Sequence, residues 1–324
     1  MNNQVKPIKN KCKALNIENM KKRGISMLNI TKINETKKHF SYEFILNALL
    51  DHFESVPIEY GTVNVFGIAA AHDPFWKGNL EEIERIFNRI GLRVNTFFNG
   101  ATHENLASAE LNLVLSPWLG INAVKRLKQK LKTPYIINPL PIGIKETSAM
   151  IKKVGDALRF DVNEVVEDEE DKVYESLKNR ATLVRDSELP LSFATITDSN
   201  YAIAFNRFLT DEFGWKPTTA VIVEQVPQTY QRSIHNYLRL NRGVSPKIVH
   251  ETDPGKIWKL IEQDRPNIIL GRSIDRYIAN KIGSANLSVS HPLKDRIVLN
   301  RGYTGYNGTV NLIEDLLNQI ITPN

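Results

Sequence analysis

Apolar residues along this chain recur at helical spacing, then in short unbroken runs, and the two patterns alternate from about residue 41 to the end. SYEFILNALLDHF opens the series: Phe44, Ile45, Leu49 and Phe53 have the spacing of an amphipathic helix, and Pro57 closes it. TVNVFGI, from Thr62 to Ile68, follows as a strand. Asn79 with Glu82 three residues on reads as a capping-box variant that opens a helix, with Leu80, Ile83, Ile86, Phe87 and Ile90 as its buried stripe and Gly91 as its stop. Glu81 and Arg85 are spaced to pair on its wet face. The alternation continues through LRVNTFF as a strand, a short helix near Glu104 to Ser108, and LNLVL (Leu111 to Leu115) as a strand. Ser116 then caps a helix with Pro117 in its first turn, striped by Leu119, Ala123, Leu127 and Leu131. PYIINPLPIG leads on to a helix near Glu146 to Leu158.

Between Phe160 and Leu189 the chain turns acidic, but Val162, Val165, Val166, Val173 and Leu177 keep an apolar stripe, so a long bridging helix is expected there. A second alternating block has strands at SFATIT, TTAVIV, PKIVHE, PNIIL and NLSVSHP, helices beginning near Ser199, Gln228, Pro254 and Arg272, and a closing helix in TVNLIEDLLNQI. Strands and helices at this spacing make parallel βαβ units. The expected fold is α/β, with two doubly wound, Rossmann-like parallel-sheet domains joined by a helical linker. The boundaries read as a basic tail at 1–40, a Rossmann-like domain at 41–160, the helical linker at 161–189 and a second Rossmann-like domain at 190–324.

The composition changes this picture little, and the charge changes it only once it is located. Of 324 residues, 42% are hydrophobic and 24% charged, as in ordinary globular chains. The net +6 is concentrated in residues 1–38, where ten lysines and arginines face only Glu18 and Glu35; the remainder carries −2. A basic tail with few aromatics is usually just solvated, which disfavours nucleic-acid binding. No uncharged apolar run is long enough to span a membrane, and the start has no apolar signal core. Cys12 is the only cysteine, which excludes an internal disulfide framework and makes the cytoplasm the default location.

In doubly wound sheets, ligands sit beyond the carboxyl ends of the strands, beside helix N-termini. That rule nominates His72, Asp73, Asn99, Ser116, Asp198, Ser199, Asn200, Glu224, Glu251, Arg272, Ser273 and His291. His72, Asp73, Ser116, Asp198, Arg272 and His291 are carried forward as candidate ligand-binding residues. Each has a plainer reading: Ser116 and Asp198 as helix caps, Arg272 as half of a surface ion pair. The seven histidines show no HExxH motif and no closely spaced pair, so no metal site is expected from the sequence. GxGxxG, P-loop and GxSxG motifs are absent, and Gly302, Gly305 and Gly308 in RGYTGYNG read as a turn of close approach before the last helix.

Several strings together resemble the nitrogenase component 1 family: VNVFGI, HDPFWKGNLEEIERIFNRIGL, LNLVLSPWLG, PYIINPLPIG with ETSAMI, and HPLKDRIVLNRGYTGYNGTVNLIEDLL. They run in one order from about Tyr42 to the end, and the last resembles β-type or scaffold-type subunits. The resemblance implies three Rossmann-like domains in the family, of which this chain retains the last two. It also implies iron–sulfur and molybdenum–iron clusters; the family's bridging-cluster cysteines lie in a first domain that has no counterpart here, and its cofactor ligands, a cysteine and a later histidine, have no match in this sequence. The expectation is therefore a truncated oxidoreductase subunit that binds no cluster alone and needs a nitrogenase-like partner subunit and an iron-protein reductase. Two alternatives remain open: a two-domain binding protein for a small anion or metallocluster precursor, held by Arg272, His72 and helix N-termini, and a nucleotide-sugar transferase-like enzyme.

Overall fold

The computed structural model describes residues 42–43, 46–47, 50–51, 53–70, 73–96, 101–178, 191–240 and 243–321. Residues 1–40, His72 and Asn99 lie outside them. Two parallel sheets carry the fold. In the first, β1 (Glu59–Phe66), β2 (Arg93–Asn95), β3 (Ala109–Val114) and β4 (Tyr135–Ile137) lie in the order β2-β1-β3-β4. In the second, β5 (Ser192–Thr197), β6 (Lys216–Ile222), β7 (Lys247–His250), β8 (Ile268–Arg272) and β9 (Ala285–Ser290) lie in the order β7-β6-β5-β8-β9. The central strands are runs buried on both faces, as helix-covered parallel sheets require.

Helices α1 (Trp76–Arg89), α2 (His103–Ser108), α3 (Ile121–Leu131) and α4 (Ile144–Leu158) connect or follow the first sheet, and α5 (Asn163–Lys178) leads away from it. In the second half come α6 (Ser199–Asp211), α7 (Gln228–Tyr237), α8 (Pro254–Asp264), a 3-10 turn at Ser273–Asp275, α9 (Arg276–Ile282) and the final α10 (Gly305–Ile321). Both halves share one hydrophobic core, which includes Val63 of β1, Phe87 of α1, Phe205 of α6, Leu270 of β8 and Leu316 of α10. Val162, Val166 and Val173 bury the expected stripe of the bridging helix in that core.

Four local expectations change. α1 starts at Trp76, so Asn79 is a fully buried residue of its first turns rather than a cap. α3 starts at Ile121, after Gly120 at φ 85°; Ser116 Oγ instead accepts from the backbone N–H groups of Trp118 (3.3 Å) and Leu119 (3.0 Å), a local turn that delays the helix. The connection after Pro134 contains β4. Glu81 faces Lys77 at 3.5 Å, while the Arg85 guanidinium turns inward to Glu82 (2.8 Å) and the buried Glu169 of α5.

The glycine turn before α10 touches α1 backbone to backbone. A Cβ on Gly78 would fall 2.3 Å from the carbonyl oxygen of Asn300, and one on Gly302 would fall 2.4 Å from the carbonyl carbon of Gly78. Only glycine fits at either place. This contact returns the chain from the second sheet to the first and fixes the two halves against each other.

Candidate functional site

The carboxyl ends of the two sheets face one another across a cleft. From the first half, β1 runs into Gly67, whose φ of 94° turns the chain sharply beside Ser116; a Cβ there would fall 2.8 Å from Ser116 Cβ. The segment beyond it delivers Asp73. From the second half, β5 runs into Asp198, the N-cap of α6, whose carboxylate accepts from the backbone N–H of Tyr201 at 3.1 Å. β6 runs into Glu224. Asn200 Nδ2 closes the rim by donating to the Gly67 carbonyl at 3.1 Å.

Two connected polar groups fill the cleft. In one, Tyr201 Oη donates to Asp73 Oδ1 at 2.7 Å, the Phe75 backbone N–H donates to the same oxygen at 2.8 Å, and Asn79 Nδ2 donates to Asp73 Oδ2 at 2.9 Å. The same Asn79 nitrogen lies 2.7 Å from Tyr201 Oη, while Asn79 Oδ1 accepts from the backbone N–H groups of Tyr303 (2.8 Å) and Thr304 (3.2 Å). One buried asparagine thus joins α1, α6 and the approach to α10. In the other group, Glu224 Oε1 accepts from the backbone N–H of Ser199 at 2.8 Å, from Ser199 Oγ, and from Trp118 Nε1 at 3.2 Å.

Between these groups lies a cavity of about 20 Å³, about the room one water needs. Asp73, Asp198, Asn200, Tyr201 and Glu224 form its polar wall, and Ile68, Ala69 and Leu119 its apolar wall. Asn200 Oδ1 is buried with no hydrogen-bond partner among the described residues. Three carboxyl groups in one enclosed place cannot all stay charged cheaply. Burial pushes the Asp73 carboxyl up to about 6, against the pull of its Tyr201, Phe75 and Asn79 hydrogen bonds. Asp198 rises well above the carboxylate range, first through burial and then through the neighbouring Glu224 and Asp73 charges. Burial and Asp73 raise the Tyr201 phenol as well, so it stays a donor at neutral pH. The site can therefore hold and release a proton near neutrality, and its lining includes no basic side chain among the described residues.

The strand-end rule brings Asp73 and Asp198 together here, with Ser199, Asn200 and Glu224. Ser116 lies behind Gly67, spent on its own turn. Arg272 does not reach the cavity: it is buried, neither a surface ion pair nor a free cation, and its guanidinium meets both oxygens of Asp275 at 2.8 Å. His291 is exposed beyond β9, before a cis Pro292. Tyr201, Asn79 and Trp118 were not nominated, because each sits inside a helix or turn with the pattern of a packing residue.

Comparison with known proteins places this geometry in a family. A family model described as nitrogenase component 1 type oxidoreductase matches residues 15–321. The chain belongs to that family. It is 26% identical over 251 residues to a light-independent protochlorophyllide reductase polypeptide of Porphyra purpurea, covering 74% of this chain and 48% of that one. It is 22% identical over 303 residues to the nitrogenase iron-molybdenum cofactor biosynthesis protein NifE of Methanococcus maripaludis, covering 90% and 58%. Against the nitrogenase molybdenum-iron protein beta chain of Clostridium pasteurianum the values are 21% over 223 residues, covering 67% and 46%. The chain spans about half the length of the curated relatives it matches. A solved structure of nitrogenase Cp1 at pH 6.5 superposes with a TM-score of 0.71 at 19% identity, over 87% of this chain and 65% of that one, which establishes the shared fold.

Iron–sulfur groups are held mainly by cysteine thiolates. The cleft supplies carboxyl groups, an amide, a phenol and an indole, and the chain's one cysteine, Cys12, lies outside the described residues. Among the described residues no group of three or more histidine, cysteine or acidic side chains is placed to hold a metal. The cleft residues do not fit an iron–sulfur group. No described helix is long and apolar enough to cross a membrane.

Proposed function

We propose that this chain serves as a component 1-type oxidoreductase segment that frames an assembly but leaves cluster ligation to further polypeptide, joined to it or separate. The observation that supports this reading is the chemistry of the cleft. Where the two sheets present their ligand-facing ends, the side chains are proton carriers and hydrogen-bond donors already engaged with one another, and no thiolate is among them. The partner is a nitrogenase-like subunit bearing the cysteines, with an iron-protein reductase as electron donor, in the cytoplasm. The two sheets correspond to Rossmann-like domains at 41–160 and 190–324, with 161–189 as the linker, packed on one shared core.

A small anion is a poor match for the same cleft, because carboxyl groups form its polar wall and Arg272 is held by Asp275. Co-expression with the polypeptides encoded by the flanking reading frames, followed by size-exclusion chromatography with light scattering, tests the reading. A stable complex with a cysteine-bearing member of the same family is expected. A chain that elutes alone in every combination would sink it.

A further inference from the structure

The fold makes a histidine pair that the sequence spacing hides. His235 lies in the last turn of α7 and His250 ends the edge strand β7, fifteen positions later, yet their Nε2 atoms are 3.2 Å apart. The ring centroids are 5.5 Å apart and the ring planes differ by 29°. That centroid separation is nearly the largest the nitrogen distance permits, so the two imidazoles point at each other end to end. Both are half-buried and reachable from solvent. No third metal-ligating side chain joins them among the described residues.

Two nitrogen donors aimed along one line suit a particular kind of ion. Tetrahedral zinc needs four ligands and nitrogen lone pairs that converge at an angle; a closed-shell monovalent ion such as Cu(I) is content with two donors in line. Metal–imidazole bonds of about 2 Å would require the nitrogens to part to about 4 Å, a small hinge of two partly exposed rings. We propose that His235 and His250 form a linear two-imidazole site for Cu(I) or an ion of the same class. Burial and the neighbouring His235 keep His250 below the usual imidazole range, hence neutral and free to ligate, while the Glu224 carboxylate supplies nearby negative charge. The site replaces a single shared proton: in the metal-free pair one Nε2 must donate to the other.

Ag(I) is the redox-stable probe. The full chain carrying Cys12→Ser, so that the thiol does not compete, is titrated with Ag(I) by calorimetry, and both histidine Nε2 resonances are followed by long-range ¹⁵N–¹H NMR. One equivalent is expected to shift both resonances together. His235→Ala and His250→Ala, each checked for native circular dichroism, are each expected to weaken that equivalent by more than about a hundredfold, since even loss of an outer-sphere partner costs about 10 to 100-fold. Undiminished Ag(I) affinity in both variants, shifts confined to other residues, or preference for Zn(II) over Ag(I) would overturn the proposal.

Discussion

Two of the places where the halves meet are built from opposite materials. Along the helical seam, α1, α5 and α10 close with glycine against glycine, Phe75 against Tyr303 at 4.4 Å between ring centroids, and fixed ion pairs from Arg85 and Arg89 to Glu82, Asp168 and Glu169. At the cleft, the halves meet through Tyr201 with Asp73, Asn200 with Gly67, and Trp118 with Glu224. The seam's charges are paired by arginine. Among the described residues that line the cleft cavity none is basic. The fold is therefore rigid where it is hinged and responsive to solution conditions where a doubly wound sheet places its chemistry.

The strongest way to break this contrast is at the seam. Gly302→Ala drives a methyl group into the backbone of Gly78 and should cost about 3 kcal/mol, seen as a lowered urea midpoint. A near-neutral result would mean the seam yields. Next comes the cleft: Tyr201→Phe removes one of the three donors to the Asp73 carboxylate and should cost about 2 kcal/mol by the same measurement.

The pH dependence separates the two regions more sharply. In the unfolded chain both cleft aspartates titrate near pH 4, whereas in the fold Asp73 titrates near 6 and Asp198 higher still. The folded state thus holds protons that the unfolded chain has released. Their contribution is complete below about pH 4 and is lost as pH rises through 6 and beyond. Thermal midpoints should fall between about pH 5.5 and about pH 8, and Asp198→Asn, which keeps the cap but cannot ionise, should flatten the upper part of that decline. An unchanged slope in Asp198→Asn would contradict the assignment. Smallest of all, Lys172→Ala on the exposed face of α5 should change stability by less than about 0.5 kcal/mol, since Arg89 also meets Asp168.

What could be read in the sequence was whatever depends on near neighbours. β5 lies at SFATIT, and α6, α7 and α8 begin at or beside Ser199, Gln228 and Pro254, where the residue pattern placed them, because that pattern is set by near neighbours. Asn79 defeated the same logic. Its capping-box spacing is real, but its amide is claimed by Tyr201, Tyr303 and Thr304, more than a hundred positions away, and α1 extends backward past it. Ser116 with Pro117 looked like a helix start because the left-handed Gly120 that postpones α3 carries no signal at that distance. For the site, the strand-end rule nominated Asp73 and Asp198, and the fold brings both to one cavity, since topology alone brings strand ends together. It could not show that Tyr201 crosses the cleft, that Asp275 occupies Arg272, or that His235 meets His250, because each of those contacts depends on tertiary packing.

Anaerobic purification of the chain alone, with iron quantified per polypeptide and an electron paramagnetic resonance spectrum in the reduced state, tests the central claim most directly. The carboxyl-lined cleft and the lone Cys12 predict substoichiometric iron and no cluster signal until a cysteine-bearing partner is added. Stoichiometric iron with a cluster spectrum in the isolated chain would contradict it.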